Sequence, residues 1–258
     1  MSRSRSPHAP RPSRLRALAV AALVGSPLAA GCSVGQGTGD VKSDALFARD
    51  CWGRAVDATN AIGAPYDLQP DFFAAVPYRQ TLQIRVQRST DYTEVSDGLA
   101  VLIDDIAQVR AAIAAAQPDA GAGGGGADAG APAAATFRVA IPAGVVPPGS
   151  PSVPPPDLVG EQPIVHMSLY LQRSCHNQNI ILYAVDGTIT FNALFDGDPN
   201  ETSAAEKLTD ADFDVEVGDL RDTPFGEYAG NVPPGRRSRL TGRFRFYFER
   251  GQPGQPFP

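Results

Sequence analysis

Four residues in the second half of the chain, Asp196, Asp198, Asn200 and Glu201, offer side-chain oxygens at close spacing, the arrangement by which a loop gathers ligands around a hard cation such as calcium. A complete twelve-residue calcium loop needs glycine at its sixth position and a bidentate glutamate at its twelfth. Counted from Asp196, those positions hold Glu201 and Lys207. The acids therefore read first as a solvated turn and only as weak metal candidates. Asp210, Asp212 and Asp214 alternate, as the wet face of a strand does. His166, Ser168 and Tyr170 share one strand face and would support nucleophilic chemistry if the fold brought them to one point. No Gly-x-Ser-x-Gly elbow accompanies them, so ordinary sheet packing is the simpler reading. There is no His-Glu-x-x-His and no Cys-x-x-Cys, and His176 follows Cys175 in a turn, where capping or solvent exposure is expected. Gly123 to Gly126 lacks the Lys and Ser/Thr of a phosphate loop. No catalytic residue and no cofactor is expected from these patterns.

Arg236, Arg237 and Arg239, with Arg243 and Arg245, form the one basic concentration in the acidic body of the chain beyond its first 31 residues. They are candidates for binding anionic headgroups, lipopolysaccharide phosphates or an acidic partner; the alternative is a solvated face. The chain has 22 basic and 28 acidic residues, and five of the basic ones are arginines before position 17. Without them the net charge is about −11. Such a body repels nucleic acid.

The N-terminal residues carry a different instruction. Arg3, Arg5, Arg11, Arg14 and Arg16 precede the apolar run Ala17 to Val24, Gly25-Ser26-Pro27 breaks it, and small residues lead to Cys32. A positive segment, an apolar segment and a small-residue cleavage site are the order of an export signal. The apolar run is too short for a spanning helix, which needs roughly 20 residues. Leu28-Ala29-Ala30-Gly31-Cys32 resembles a bacterial lipobox, although the leucine stands four residues before the cysteine rather than three. The other reading is an ordinary secretory signal cut after an Ala-x-Ala site. The lipobox resemblance implies cleavage before Cys32 and a diacylglycerol thioether on its sulfur. It also implies a palmitate-type acyl anchor in the cell envelope, and Ser33 is compatible with outer-membrane sorting. With Cys32 acylated, Cys51 and Cys175 remain, and in an oxidising compartment they are expected to form a disulfide; two buried free thiols are the alternative.

The elements that must position these groups are mostly strands. Leu82, Ile84 and Val86 alternate with polar residues over Thr81 to Gln87, and Leu99 to Ile103 forms a short apolar strand. Ile106, Val109 and Ile113 recur at helical spacing, which predicts a helix over Asp105 to Gln117. Further strands are expected at Phe137 to Ile141, Val165 to Leu171, Ile180 to Val185, Thr188 to Phe195, around Phe213 to Val217, and Leu240 to Tyr247. Asp186-Gly187 between two alternating runs predicts a hairpin. Gly242 falls on the apolar face of its strand, which points to a bulge or a close approach by another segment. Asp67 to Phe73 reads as a turn because of Pro70.

About eight strands with short links predict a mainly β protein, an antiparallel β-sandwich or open barrel with one short helix. The organisation expected is a leader at 1–31, a flexible tether at 32–43, a single domain at 44–250 and a tail at 251–258. Inside the domain, the Ala/Gly/Pro-rich stretch 118–135 cannot bury enough surface to offset its ordering entropy and is expected to be a disordered insertion. Residues 145–158 form a Pro-rich extended segment.

Asp71-Phe72-Phe73-Ala74-Ala75-Val76-Pro77-Tyr78, Ile84-Arg85-Val86-Gln87, Ser96-Asp97-Gly98-Leu99 and Phe244 to Gly251 resemble a group of uncharacterised myxobacterial lipoproteins, from about Cys51 to the C-terminus without the insertion. That resemblance brings no activity and no functional residue. The expectation is a membrane-attached envelope protein, a binding or structural module with an envelope protein or glycan as partner. A membrane-anchored hydrolase and a calcium-stabilised adhesion module are the alternatives.

Overall fold

Strand alternation in this chain resolves into one antiparallel sheet that curls on itself. The computed structural model describes residues 37–51, 65–88, 96–116, 134–142, 145, 163–175, 179–198 and 200–249. The leader, Cys32, residues 33–36 of the expected tether, insertion residues 118–133, the Pro-rich segment beyond Val145, His176 and the C-terminal tail lie outside them.

The strands are β1 (Gly37–Ser43), β2 (Tyr66–Leu68), β3 (Phe72–Tyr78), β4 (Thr81–Gln87), β5 (Gly98–Ile103), β6 (Ala135–Arg138), β7 (Val165–Leu171), β8 (Ile180–Ala193), β9 (Leu208–Gly218) and β10 (Arg237–Tyr247). Helix α1 (Ile106–Ala115) follows β5. The sheet order is β2-β1-β10-β9-β8-β7-β5-β4-β3, with β6 paired to β8 beside this path. β2 and β3 stand at opposite ends of that order, yet only residues 69–71 separate them in the chain. The covalent chain thus joins the two ends of the sheet, which makes an open barrel and not a sandwich. Phe73 of β3 stacks on Phe246 of β10 across the seam, with ring centroids 5.7 Å apart.

The interior follows from the period of two. Leu82, Ile84 and Val86, Leu99, Val101 and Ile103, and Val165, Met167, Leu169 and Leu171 are all buried and belong to one continuous core. Phe191, Phe213, Leu240 and Phe244 complete it from the other wall. A barrel of about eight strands has an interior that side chains fill. Helix α1 turns Ile106, Val109 and Ile113 inward, and Asp105 caps it by accepting from the Gln108 amide at 2.9 Å. This agrees with the helix expected over Asp105 to Gln117.

Four expectations are corrected. Residues 37–43 of the expected tether are a strand: β1 lies between β2 and β10, and Val41 is wholly buried. The alternation there is weak because Gly37 and Gly39 supply no side chain; an added Cβ at Gly37 would stand 2.6 Å from the Phe73 ring. Asp67 to Phe73 is not one turn but the junction of β2 and β3, and Pro70 sits between two ladders that each avoid it. Asp186-Gly187 is not a hairpin. β8 runs straight through it against β9, with a register shift between Ala184 and Asp186. Gly187, at φ +106°, lets the backbone absorb the extra residue. That bulge is why Ile180, Leu182 and Ala184 face inward before it and Ile189 and Phe191 after it. Finally, β6 begins at the buried Ala135, inside the stretch expected to be disordered, and ends at Arg138.

Two ends of the barrel are defined by what closes them. At one, the helix end, lie α1, the β3–β4 turn and residues 194–198 and 200–207. At the other, the disulfide end, lie Cys51, Cys175 and the long β9–β10 connection.

Candidate functional site

Three groups of side chains were marked by the sequence, and each meets partners within its own chain. At the helix end, Arg110 on the exposed flank of α1 reaches the loop after β8. Its Nη1 stands 2.5 Å from Asp196 Oδ2 and 3.0 Å from Glu201 Oε1. The guanidinium thus lies between two of the acids that were weak calcium candidates. The loop also turns onto its own backbone: Asp196 Oδ1 accepts from the Asp198 amide at 2.6 Å, and Asp198 Oδ1 from the Asn200 amide at 2.8 Å. Among the described residues, no group of three or more His, Cys, Asp or Glu side chains is arranged to hold a metal ion.

The electrostatics of this cluster are uneven. Burial, a proton shared with Asp196 and the Asp196 charge together push the Glu201 carboxyl up to about 7. Asp196 is held below the usual carboxylate range. Partial burial opposes that shift, and the Asp198 amide, Glu201 and Arg110 outweigh it. Two carboxylates beside one guanidinium leave one proton's worth of charge uncompensated, and Glu201, with its side chain only 7 % exposed, is the one that keeps the proton.

His166, Ser168 and Tyr170 stand on the outer face of β7, and their functional atoms are turned to different neighbours. His166 Nδ1 lies 2.7 Å from the Ala140 carbonyl oxygen and Nε2 3.1 Å from Asp104 Oδ2. Both neighbours are acceptors, so the ring ties β7 to the segment after β6 and to the end of β5. Tyr170 donates to Gln87 Oε1 at 2.7 Å, and burial raises its phenol. Gly98 makes room for that ring: a Cβ there would stand 2.1 Å from the Tyr170 oxygen.

The arginines on β10 alternate with inward residues and face the acids of β9 and β1. Arg239 makes two bonds to Asp214, Arg245 lies 3.0 Å from Asp210, and Arg237 lies 3.0 Å from Glu216. Arg243 approaches Asp40 at 3.5 Å. Arg236 lies over the Phe47 ring, 4.6 Å from its centroid. Arg245–Asp210 and Arg243–Asp40 stand directly across a ladder, Arg239–Asp214 and Arg237–Glu216 lie diagonally, and opposite charges so placed support the pairing of the strands. Arg237 and Arg239 also line a shallow groove of about 450 Å³ with Lys42, Ser43 and Ser238. The Ser43 hydroxyl is buried there without a hydrogen-bond partner.

One constellation escaped the sequence. At the disulfide end the buried Asp97 accepts from the Arg173 amide at 2.8 Å, the Ser174 amide at 3.1 Å, the Ser174 hydroxyl and the Tyr66 hydroxyl. Burial, then the Asp97 charge, raises the Tyr66 phenol well above its ordinary value. Cys51 and Cys175 are bonded next to this carboxylate, with Cα atoms 4.8 Å apart and a separation of 124 positions in sequence. Ser96-Asp97-Gly98 carries a turn signal that a buried acid also satisfies, and only the three-dimensional arrival of residues 173 and 174 separates the two.

Compared with known proteins, the chain matches no family model, no curated protein and no solved structure. Among the described residues, no helix is long and apolar enough to cross a membrane.

Proposed function

We propose that the protein is a lipid-anchored component of a bacterial cell envelope. In this reading its barrel serves as a non-enzymatic binding or structural module, facing an envelope protein or glycan. The observation that carries the reading is the leader that ends in Leu28-Ala29-Ala30-Gly31-Cys32. Two features support it. A Cys51–Cys175 bridge suits an oxidising compartment. A barrel interior filled by Leu82, Val101, Met167 and Phe191 leaves the outer surface and the two rims for recognition.

The test is mass spectrometry of the polypeptide from its native host. The expected N-terminal peptide begins at Cys32 and carries a diacylglycerol thioether, and Cys32→Ser releases the protein from the membrane fraction. A chain that begins elsewhere, or an unmodified Cys32, overturns the anchor. Crosslinking in cells then identifies the neighbour, and recovery of none overturns the binding role.

A further inference from the structure

We infer that the β3–β4 rim of the barrel rests in the headgroup layer of the membrane that holds Cys32, with Tyr78 and Arg79 as its contacts. This rests on the lipid-anchor reading and adds an orientation to it. β2 and β3 both run antiparallel to β1, and Phe73 lies against Gly37, where the first strand begins. From Phe73, β3 continues five residues to Tyr78, about 17 Å at roughly 3.3 Å per residue. Running opposite to β1, it extends past the end at which β1 begins. From Gly37 back to Cys32 is also five residues, at most about 18 Å when fully extended. Even at full extension the tether's reach only matches the distance by which the rim projects, so an acylated Cys32 holds the rim at the level of the headgroups.

What stands on that rim suits the position. Tyr78 is 65 % exposed and Val76 43 %, both on the outward face of β3, and Tyr247 is 39 % exposed on β10. Tyrosines gather at membrane–water interfaces, where one end of the ring is apolar and the other wet. The two-residue turn holds Arg79 at φ +56°, a conformation that favours glycine, with its guanidinium 5.3 Å from the Tyr78 ring centroid. An arginine placed there can reach a lipid phosphate while its stem covers the aromatic face. The α1 N-terminus braces the turn, since the Ile106 amide donates to the Gln80 carbonyl oxygen at 2.9 Å. A groove of about 630 Å³ between Arg79, Gln80, Ala107 and Arg110 opens on the same side. The opposite rim provides the control: Phe225, 92 % exposed, lies in the β9–β10 connection at the disulfide end.

The experiment keeps the tether length and does without native acylation. The chain from Cys32 to Pro258 is coupled through the Cys32 thiol to a maleimide phospholipid, the other two cysteines being joined to each other. The vesicles are phosphatidylcholine and phosphatidylglycerol with a nitroxide on some headgroups. Tyr78→Trp and Phe225→Trp are compared over the common background of Trp52. Tyr78→Trp emission is expected to be quenched at least about twofold more than that of Phe225→Trp, as an interfacial ring would be. Eight Gly/Ser residues inserted after Ser33 are expected to reduce that difference. Equal quenching of the two variants overturns the proposal, and so does quenching that the insertion leaves unchanged, because tether length is then not the cause. A Tyr78→Trp ring already shielded in solution also overturns it, by pointing to a second copy of the chain on this rim. None of these results depends on whether the host acylates Cys32, so the orientation and the anchor fail separately.

Discussion

The two ends of the barrel are closed by different physics. At the disulfide end, a covalent bond and one buried carboxylate tie together residues from four distant parts of the chain: 51, 66, 97 and 173–175. At the helix end, closure is half-wet: a ten-residue helix with its own cap, and a guanidinium 32 % exposed between two acids of the loop after β8. Buried, fully partnered groups are costly to disturb, because any survivor is left without water or partner. Exposed pairs are screened and contribute little. The disulfide end should therefore carry most of the rigidity, and the helix end should tolerate change.

The largest effect tests that contrast directly. Replacing both Cys51 and Cys175 by alanine removes a crosslink spanning 124 residues, which the chain-entropy model values at about 4–5 kcal/mol. Urea denaturation is expected to show a loss approaching that size. Amide exchange should speed first in residues 45–51 and 165–175, with α1 following only at global unfolding. If α1 loosens first, the two ends are one cooperative unit and the contrast fails.

Asp97→Ala comes next. It strips partners from two backbone amides and two hydroxyls at once, in a site where the aspartate is only 6 % exposed. The expected loss is about 2–4 kcal/mol by denaturation, from buried donors left unpaired. The disulfide should stay formed in a thiol assay. A loss below about 1 kcal/mol would place Asp97 among ordinary turn acids.

How much of this was readable beforehand divides along the same line. The interior positions of β4, β7, β9 and β10 were legible because apolar residues alternate with polar ones, and β5 was legible as a short apolar run. Gly242 was legible for the same reason: a gap on the apolar face announced a close neighbour, and a Cβ there would meet the Asp40 carbonyl oxygen at 2.1 Å. β1 was hidden by its glycines. The continuity of β8 was hidden because a bulge that inverts the inside–outside phase looks, in one dimension, like two strands around a turn. The arginines of β10 were visible as a cluster, but their pairing with Asp210, Asp214 and Glu216 depends on the β9–β10 register. Arg110 and Asp97 were missed altogether. A charge on a helix flank and an acid in a turn have the same sequence signature whether or not a distant segment arrives to meet them.

A smaller prediction sharpens the helix end. Asp105→Ala removes the oxygen that caps α1 through the Gln108 amide, with an expected loss of about 1 kcal/mol. That loss should appear in the α1 amides by exchange and leave residues 165–175 unchanged. If it spreads to the disulfide end, the helix is more than a local lid.

The smallest effect is one of pH. Glu201, raised from its ordinary 4.5 to about 7, binds its proton more tightly in the folded chain than in the unfolded one. Its contribution is fully present below pH 4.5 and is lost as the pH rises through 7. Above that, Glu201 and Asp196 are both charged beside a single Arg110. Glu201→Gln imitates the protonated form and cannot ionise. The variant should melt with wild type near pH 4.5 and a few degrees above it near pH 8. A melting difference that stays flat across that window means that Arg110 balances both acids at every pH. The helix end would then be held as firmly as the hydrogen-bonded carboxylate Asp97 holds the other end, and the distinction between the two ends would reduce to the disulfide alone.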